Sequence, residues 1–235
     1  RHTRYGTVTG VQTCALPIYC HGHYTTAPKA HEAYRKRQID ALQNPGADLG
    51  KARFDITDEQ IRASLENSQL KLQRERGTDV TIFSPRAGGM GHHIGNEGTS
   101  KDWSERCNEL IHRVCRLYPE NFIGVCQLPQ SPGVRPAAAC IAELERCVRE
   151  YGFIGCNLNP DPSGGYWTDP PLTDKWWYPF YEKMVELDVP AMVHVSASCN
   201  PNFHFTGAHY INADTSAFMQ FLTSDLFKDF PTLKF

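Results

Sequence analysis

The sequence predicts an α/β fold built from βα repeats, parallel strands covered by helices, and three observations lead there. Short β-rich runs near residues 16–19, 79–83, 122–128, 153–158 and 189–195 alternate with helical stretches. Loops rich in Gly, Pro and Asn follow the strand ends, at 84–95, 159–166 and 196–212. Histidines gather at those same ends, at His21, His23 and His194. Right-handed crossovers allow either an open doubly wound sheet or a closed barrel. Loops elaborated at strand ends favour the barrel, because barrels build their sites there. Five strands and the beginning of a sixth at 233–235 make an incomplete (β/α)8 TIM-type barrel, with about five to six βα units against the eight of a whole one.

Taken in order, the apolar run ending at Tyr19 reads as the first strand, and 27–42 as a polar helix stopped by Asn44-Pro45-Gly46. Thr57 with Gln60 forms a capping box for one helix carrying Ile61, Leu65, Leu70 and Leu72 up to Gly77. The second strand, 79–83, leads into the glycine-rich loop. Trp103, Cys107, Leu110, Ile111 and Val114 keep helical spacing before the strand 122–128. A helix over 137–151, a strand over 153–158, and a helix from Thr173 to Leu187 follow. The strand 189–195 ends in His194, and a helix is expected over 215–227.

Composition narrows the function. With 235 residues, a net charge of −2, 40% hydrophobic and 21% charged residues, the chain carries no electrostatic footprint for nucleic acid or an anionic membrane. No apolar run approaches the ~20 residues that span a bilayer. The nine cysteines are odd in number and contain no Cys-x-x-Cys pair, which points to reduced thiols in a cytoplasmic protein. Residues Val8 to Ile18 match the conceptual translation of a sequencing adapter that leaves one T over, enough to turn an Asp codon into that of Tyr19. Residues 1–19 are therefore expected to be adapter-derived, and 20–235 to be the N-terminal portion of the barrel. A signal peptide is the weaker alternative, because no convincing cleavage site follows Arg1 and Arg4.

His21 and His23 carry the chemistry. Side chains at i and i+2 of a strand share a face, so the two imidazoles can aim at one point. Read alone, they are surface histidines, and His194 is a core histidine bonded to a neighbour. Together they suit a catalytic Zn²⁺ or Mn²⁺ with an open position for water. The glycine loop 88–95 lacks the lysine of a phosphate-binding loop and is discounted as one.

These histidines resemble the pattern of the amidohydrolase superfamily. Five further segments more closely resemble its 4-oxalomesaconate hydratase family: Cys20-His-Gly-His-Tyr-Thr-Thr-Ala-Pro-Lys29, Phe83-Ser-Pro-Arg-Ala87, His92-His-Ile-Gly95, Asn157-Leu-Asn-Pro-Asp-Pro-Ser-Gly-Gly165 and Gly207-Ala-His-Tyr210. The resemblance implies water addition to 4-oxalomesaconate (4-carboxy-2-hydroxymuconate), giving 4-carboxy-4-hydroxy-2-oxoadipate, in bacterial breakdown of protocatechuate and gallate. It implies a metal held by His21, His23 and His194 and a small polycarboxylate substrate; a homo-oligomer is compatible with it, and the sequence leaves the oligomeric state open. Arg86 is then the expected carboxylate clamp, Tyr210 and His209 orient a carboxylate or enolate, and His93 and Asn159 are weaker candidates. A further histidine and a metal-binding carboxylate of the family are expected beyond Phe235, so this chain by itself is expected to be inactive and prone to aggregate. A related decarboxylase of aromatic or muconate-type acids is the alternative enzyme. A binding protein without its metal is the alternative from another class.

Overall fold

The computed structural model describes residues 17–44, 55–86, 90–135, 139–203 and 206–235. Its elements run β1 (Ile18–His23), α1 (Lys29–Gln43), α2 (Asp58–Glu66), α3 (Gln69–Arg76), β2 (Val80–Ser84), α4 (Glu97–Leu117), β3 (Phe122–Gly124) and β4 (Cys126–Gln127). They continue through α5 (Ala139–Tyr151), β5 (Cys156–Leu158), a 3₁₀ turn at Lys175–Trp177, α6 (Tyr178–Glu186), β6 (Ala191–Val193), α7 (Thr206–Thr223) and α8 (Leu226–Asp229).

All strand pairings are parallel, in two ladders ordered β1-β2-β3 and β4-β5-β6. The ladders meet at Val125, whose N–H donates to Phe83 O at 2.9 Å, while Ile154 N donates to Gly124 O and Cys126 N to Gly155 O, both at 3.1 Å. The segment 122–127 therefore bridges β2 on one side and β5 on the other. Each strand lies beside the one before it in the chain. A doubly wound sheet must reverse its order at a switch point, and this one never does. The chain is a partial barrel.

Helices α2, α4, α5 and α6 cover one face. Ile61, Leu65, Ile111, Val114, Leu144, Phe180 and Met184 pack on Phe83, Phe122, Cys126, Cys156 and Leu158 in a single core. At full burial each large side chain contributes about 1.5–3 kcal/mol. The opposite face of the sheet borders a hollow of about 820 Å³, lined by Ile82, Val125, Met192 and, from α7, Phe218 and Phe221. Ile211, Phe218 and Leu222 of α7 are exposed. Among the described residues, no helix is long and apolar enough to cross a membrane. The eight described cysteines are all free.

Several expected boundaries move, each for a physical reason. The first strand runs on to His23, so the histidine pair lies within β1 and not behind it. The helix expected to reach Gly77 is two, because the Ser68 hydroxyl bonds back to the carbonyls of Ser64 and Leu65 and offers the backbone another partner. The strand expected over 122–128 divides at Val125. The strands at 153–158 and 189–195 shorten to Cys156–Leu158 and Ala191–Val193. Pro190 has no N–H to give a ladder, though its carbonyl still accepts from Cys156 N at 3.2 Å. Asp174, not Thr173, caps the next turn, accepting from Trp176 N at 2.8 Å. The polar loop expected to reach residue 212 gives way to α7 at Thr206, and the helix expected to reach 227 stops at Thr223. Buried His209, Ala213 and Ala217 fall at i, i+4 and i+8 of α7, a stripe of small residues plus one imidazole that carries little apolar signal. The last three residues form no strand, although Ala191 N donates to Lys234 O at 3.0 Å. The start of the helix expected at 137, the glycines at 88 and 89, and residues 1–16 lie outside the described residues.

Candidate metal centre

β1 delivers the first two imidazoles. It carries one extra residue relative to β2 between Tyr19 and Gly22, a bulge of the kind that re-aims side chains beside sites. Gly22 is required there, since a Cβ would overlap Thr81 Cγ2 on β2. Gln69 at the start of α3 donates to His23 O and anchors the strand's end. The third imidazole stands just past β6, whose line is held by the bond from His194 N to Leu158 O at 2.8 Å.

The three Nε2 atoms converge. His21 to His23 is 2.8 Å, His23 to His194 is 2.9 Å, and His194 to His21 is 3.0 Å. In a flat sheet, β1 and β6 would lie about 19 Å apart, given about 4.8 Å between neighbouring strands. The strands must therefore curl for the rings to meet, as a barrel wall does.

The other ring nitrogens determine what the triangle can hold. His23 Nδ1 lies 2.8 Å from Pro85 O, and His194 Nδ1 lies 2.9 Å from Val195 O. A carbonyl only accepts, so both Nδ1 atoms carry the proton and both neutral rings turn a bare Nε2 lone pair inward. Ser84 Oγ also lies 2.8 Å from His23 Nδ1 and donates to Gly22 O at 3.2 Å. At most one proton, on His21 Nε2, is left for three mutual contacts. Two lone pairs facing each other at 2.9 Å repel unless a cation lies among them. Burial lowers the pKa of all three rings. That of His194 falls to about 4, by burial first and then by the neighbouring His23 and His21, so the rings are neutral near pH 7. Neutral imidazoles oriented through Nδ1 by backbone carbonyls are the donor set and the supporting shell that a divalent metal takes. These three form the only such group of His, Cys, Asp and Glu among the described residues.

The remaining candidates are spread over the rim. His93 follows β2, and its Nδ1 is buried without a hydrogen-bond partner among the described residues. His209, in the first turn of α7, is fully buried, with neither ring nitrogen bonded among the described residues. Burial lowers the pKa of both, and the Asp161 carboxylate opposes the fall in both, so the loops after β2, β5 and β6 come together around Asp161. That carboxylate accepts from Ser163 N and Oγ, Gly165 N and Trp167 N. Tyr210 is half-buried beside His209, and burial raises its pKa. Asn159 is buried and committed: Nδ2 donates to Ser196 Oγ at 2.8 Å and Oδ1 accepts from Asp161 N at 3.0 Å. Arg86 is exposed and paired with Glu32 at 2.7 Å. Sequence reasoning passed over Ser84 and the Pro85 carbonyl, which orient His23. Their only signal was a Ser-Pro pair closing a strand opposite the two histidines.

The amidohydrolase family model matches residues 18–235. A 2-keto-4-carboxy-3-hexenedioate hydratase from Sphingobium is 58% identical over 93% of this chain, and the chain spans 63% of that protein's length. The crystal structure of a 4-oxalomesaconate hydratase from Rhodopseudomonas palustris superposes with a TM-score of 0.84 at 56% identity, covering 94% of this chain and 62% of that one. A 5-carboxyvanillate decarboxylase from Novosphingobium aromaticivorans, solved with bound manganese, shares the fold alone. Its TM-score is 0.66 at 19% identity, over 93% of this chain and 64% of that one.

Proposed function

Since the chain belongs to the amidohydrolase family, we propose that the protein is a metal-dependent hydro-lyase that adds water to 4-oxalomesaconate and yields 4-carboxy-4-hydroxy-2-oxoadipate in the cytoplasmic breakdown of protocatechuate and gallate. The observation that carries the reading is the triangle of Nε2 atoms at 2.8–3.0 Å, in a chain 58% identical to a hydratase over nearly its whole length.

His21, His23 and His194 would hold Zn²⁺, with Mn²⁺ the second choice. Either ion, when bound, lowers the pKa of a coordinated water toward neutrality and makes a nucleophile available without strong base. The chain's own residues do the rest. Pro85 and Val195 carbonyls and Ser84 keep two lone pairs aimed inward. His93 and Tyr210 would offer a ring nitrogen and a hydroxyl to the substrate's carboxylates and enol, and His209, whose ring is fully buried, would act from behind Tyr210. Asn159 fixes the start of the loop that carries Asp161, whose charge opposes the fall in the pKa of both histidines. Arg86 clamps a carboxylate once it exchanges Glu32, an exposed pair worth at most about 1 kcal/mol, for the ligand.

Two measurements test the proposal. The whole protein as purified should contain about one divalent metal per chain, and His194→Ala should lose it. Given 4-oxalomesaconate, it should bleach the conjugated chromophore without releasing CO₂. Absence of metal from the parent protein would leave the binding-module alternative standing, and CO₂ release would favour the decarboxylase.

A further inference from the structure

The wall of the hollow beneath the histidines is apolar except at a few points, and one of them has no structural employment. Asn157 is the middle residue of β5 and 2% exposed. Its neighbours Cys156 and Leu158 belong to the core under the helices. Alternation along a strand therefore turns Asn157 to the opposite, inner face, where it lines the hollow together with His21, Ser84 and Met192. It pairs in register with Met192 on β6, and His194 stands two residues further on that same face. Strand spacing then puts the two side-chain origins about 8 Å apart.

The Nδ2 amide of Asn157 is buried and has no hydrogen-bond partner among the described residues. A buried unmet donor is costly and calls for an explanation. The geometry points to Asn157 as a substrate-positioning residue, its amide donating to a carboxylate or keto oxygen of a polycarboxylate that enters the rim beside the histidine triangle. The inference rests on the hydratase reading, which supplies the anionic substrate. A neutral amide suits this place better than a cation would. It satisfies one oxygen lone pair without adding positive charge beside three neutral rings that face a metal position.

The test uses the whole protein and two variants. Asn157→Leu removes the donor at similar volume, and Asn157→Asp replaces the donor by an acceptor that repels a carboxylate. Hydration kinetics give KM and kcat, calorimetric titration with tricarballylate gives affinity for an unreactive tricarboxylate, and metal content and Tm are measured in parallel. Loss of a hydrogen bond to a charged acceptor predicts that Asn157→Leu raises KM and weakens tricarballylate binding about tenfold or more. Asn157→Asp should weaken both further. Metal content, kcat and Tm of Asn157→Leu should stay at the parent level, since no protein bond is lost. Unchanged KM in both variants overturns the inference. A lowered Tm with unchanged tricarballylate binding also does so, and would assign Asn157 to pairing with Gln127, the residue in register on β4, whose Oε1 is likewise unbonded. Failure of the underlying hydratase reading looks different: the parent protein would neither hydrate the substrate nor lose metal on His194→Ala.

Discussion

Two groups of histidines in this molecule share the direction of their pKa shift, downward through burial, and differ in what their nitrogens face. His31 and His92 lie between α1 and α4. His31 Nε2 is 3.3 Å from Cys107 Sγ, its ring tilts on Trp103 at 4.6 Å, and His92 Nδ1 is 2.6 Å from Ser100 Oγ. Burial pushes His31 to about 4 and His92 to about 3, as it pushes His194 to about 4. Depressed basicity therefore does not distinguish a ligand from a packing residue here. Orientation does. In the triangle, backbone carbonyls hold Nδ1 and leave Nε2 facing Nε2. In the helix layer, the nitrogens face a thiol and a hydroxyl, groups that an imidazole can satisfy without an ion.

The largest expected effect separates the two groups directly. His194→Ala should lower metal affinity by more than the about 10–100-fold that loss of an outer-shell partner costs, with little change in Tm, because the ring stands half-buried at the rim. His92→Ala should do the reverse, keeping the metal and losing about 1–3 kcal/mol as Ser100 is left unpaired. Metal analysis and chemical denaturation of both variants decide it, and loss of metal from His92→Ala would erase the distinction.

Acid should weaken the helix layer next. The folded pKa values of His31 and His92 lie below the unfolded value of 6.5, so the unfolded chain binds more protons below that pH. Their contribution is intact above pH 6.5 and is lost as pH falls toward about 4 and about 3, at about 1.4 kcal/mol per unit for each ring. Denaturation between pH 7 and 4.5 measures this. His92→Gln should flatten the slope, and an unaltered slope would exclude His92 as its source.

Gly22→Ala tests whether the rim depends on the exact course of β1. The new methyl meets Thr81, so overpacking should cost about 1–3 kcal/mol and weaken metal binding, whereas a strand with slack would show neither. The smallest expected stability effect belongs to Arg86→Ala, at most about 1 kcal/mol for an exposed pair with Glu32. A rise in KM without loss of Tm would show that this arginine meets substrate.

Much of the fold was legible because its signals are local. The Thr57–Gln60 box forms as the sequence says, with Thr57 N donating to Gln60 Oε1 at 2.9 Å and Gln60 N to Thr57 Oγ1 at 3.3 Å. Helix α4 follows its apolar spacing, and the βα alternation yields parallel ladders in chain order. What was misplaced lacks such signals. His209 reads as polar loop until it is seen packed at the head of the stripe with Ala213 and Ala217, and Ser68 divides a helix through one hydroxyl. Arg86 read as the carboxylate clamp and Asn159 as a weaker candidate, yet Asn159 is locked among three loops and Arg86 is exposed on a surface ion pair.

The sequence by itself determined that His21 and His23 share a face, because two residues along one strand are related by covalent geometry. It also determined the order of strands and helices, since periodicity is a property of neighbours. Only the tertiary structure decided that His194, 171 positions after His23, meets them at 2.9 Å, and that Pro85 and Val195 fix the tautomers. Sheet curvature and strand register are sums over many weak, distant contacts, and no short stretch of the chain encodes them.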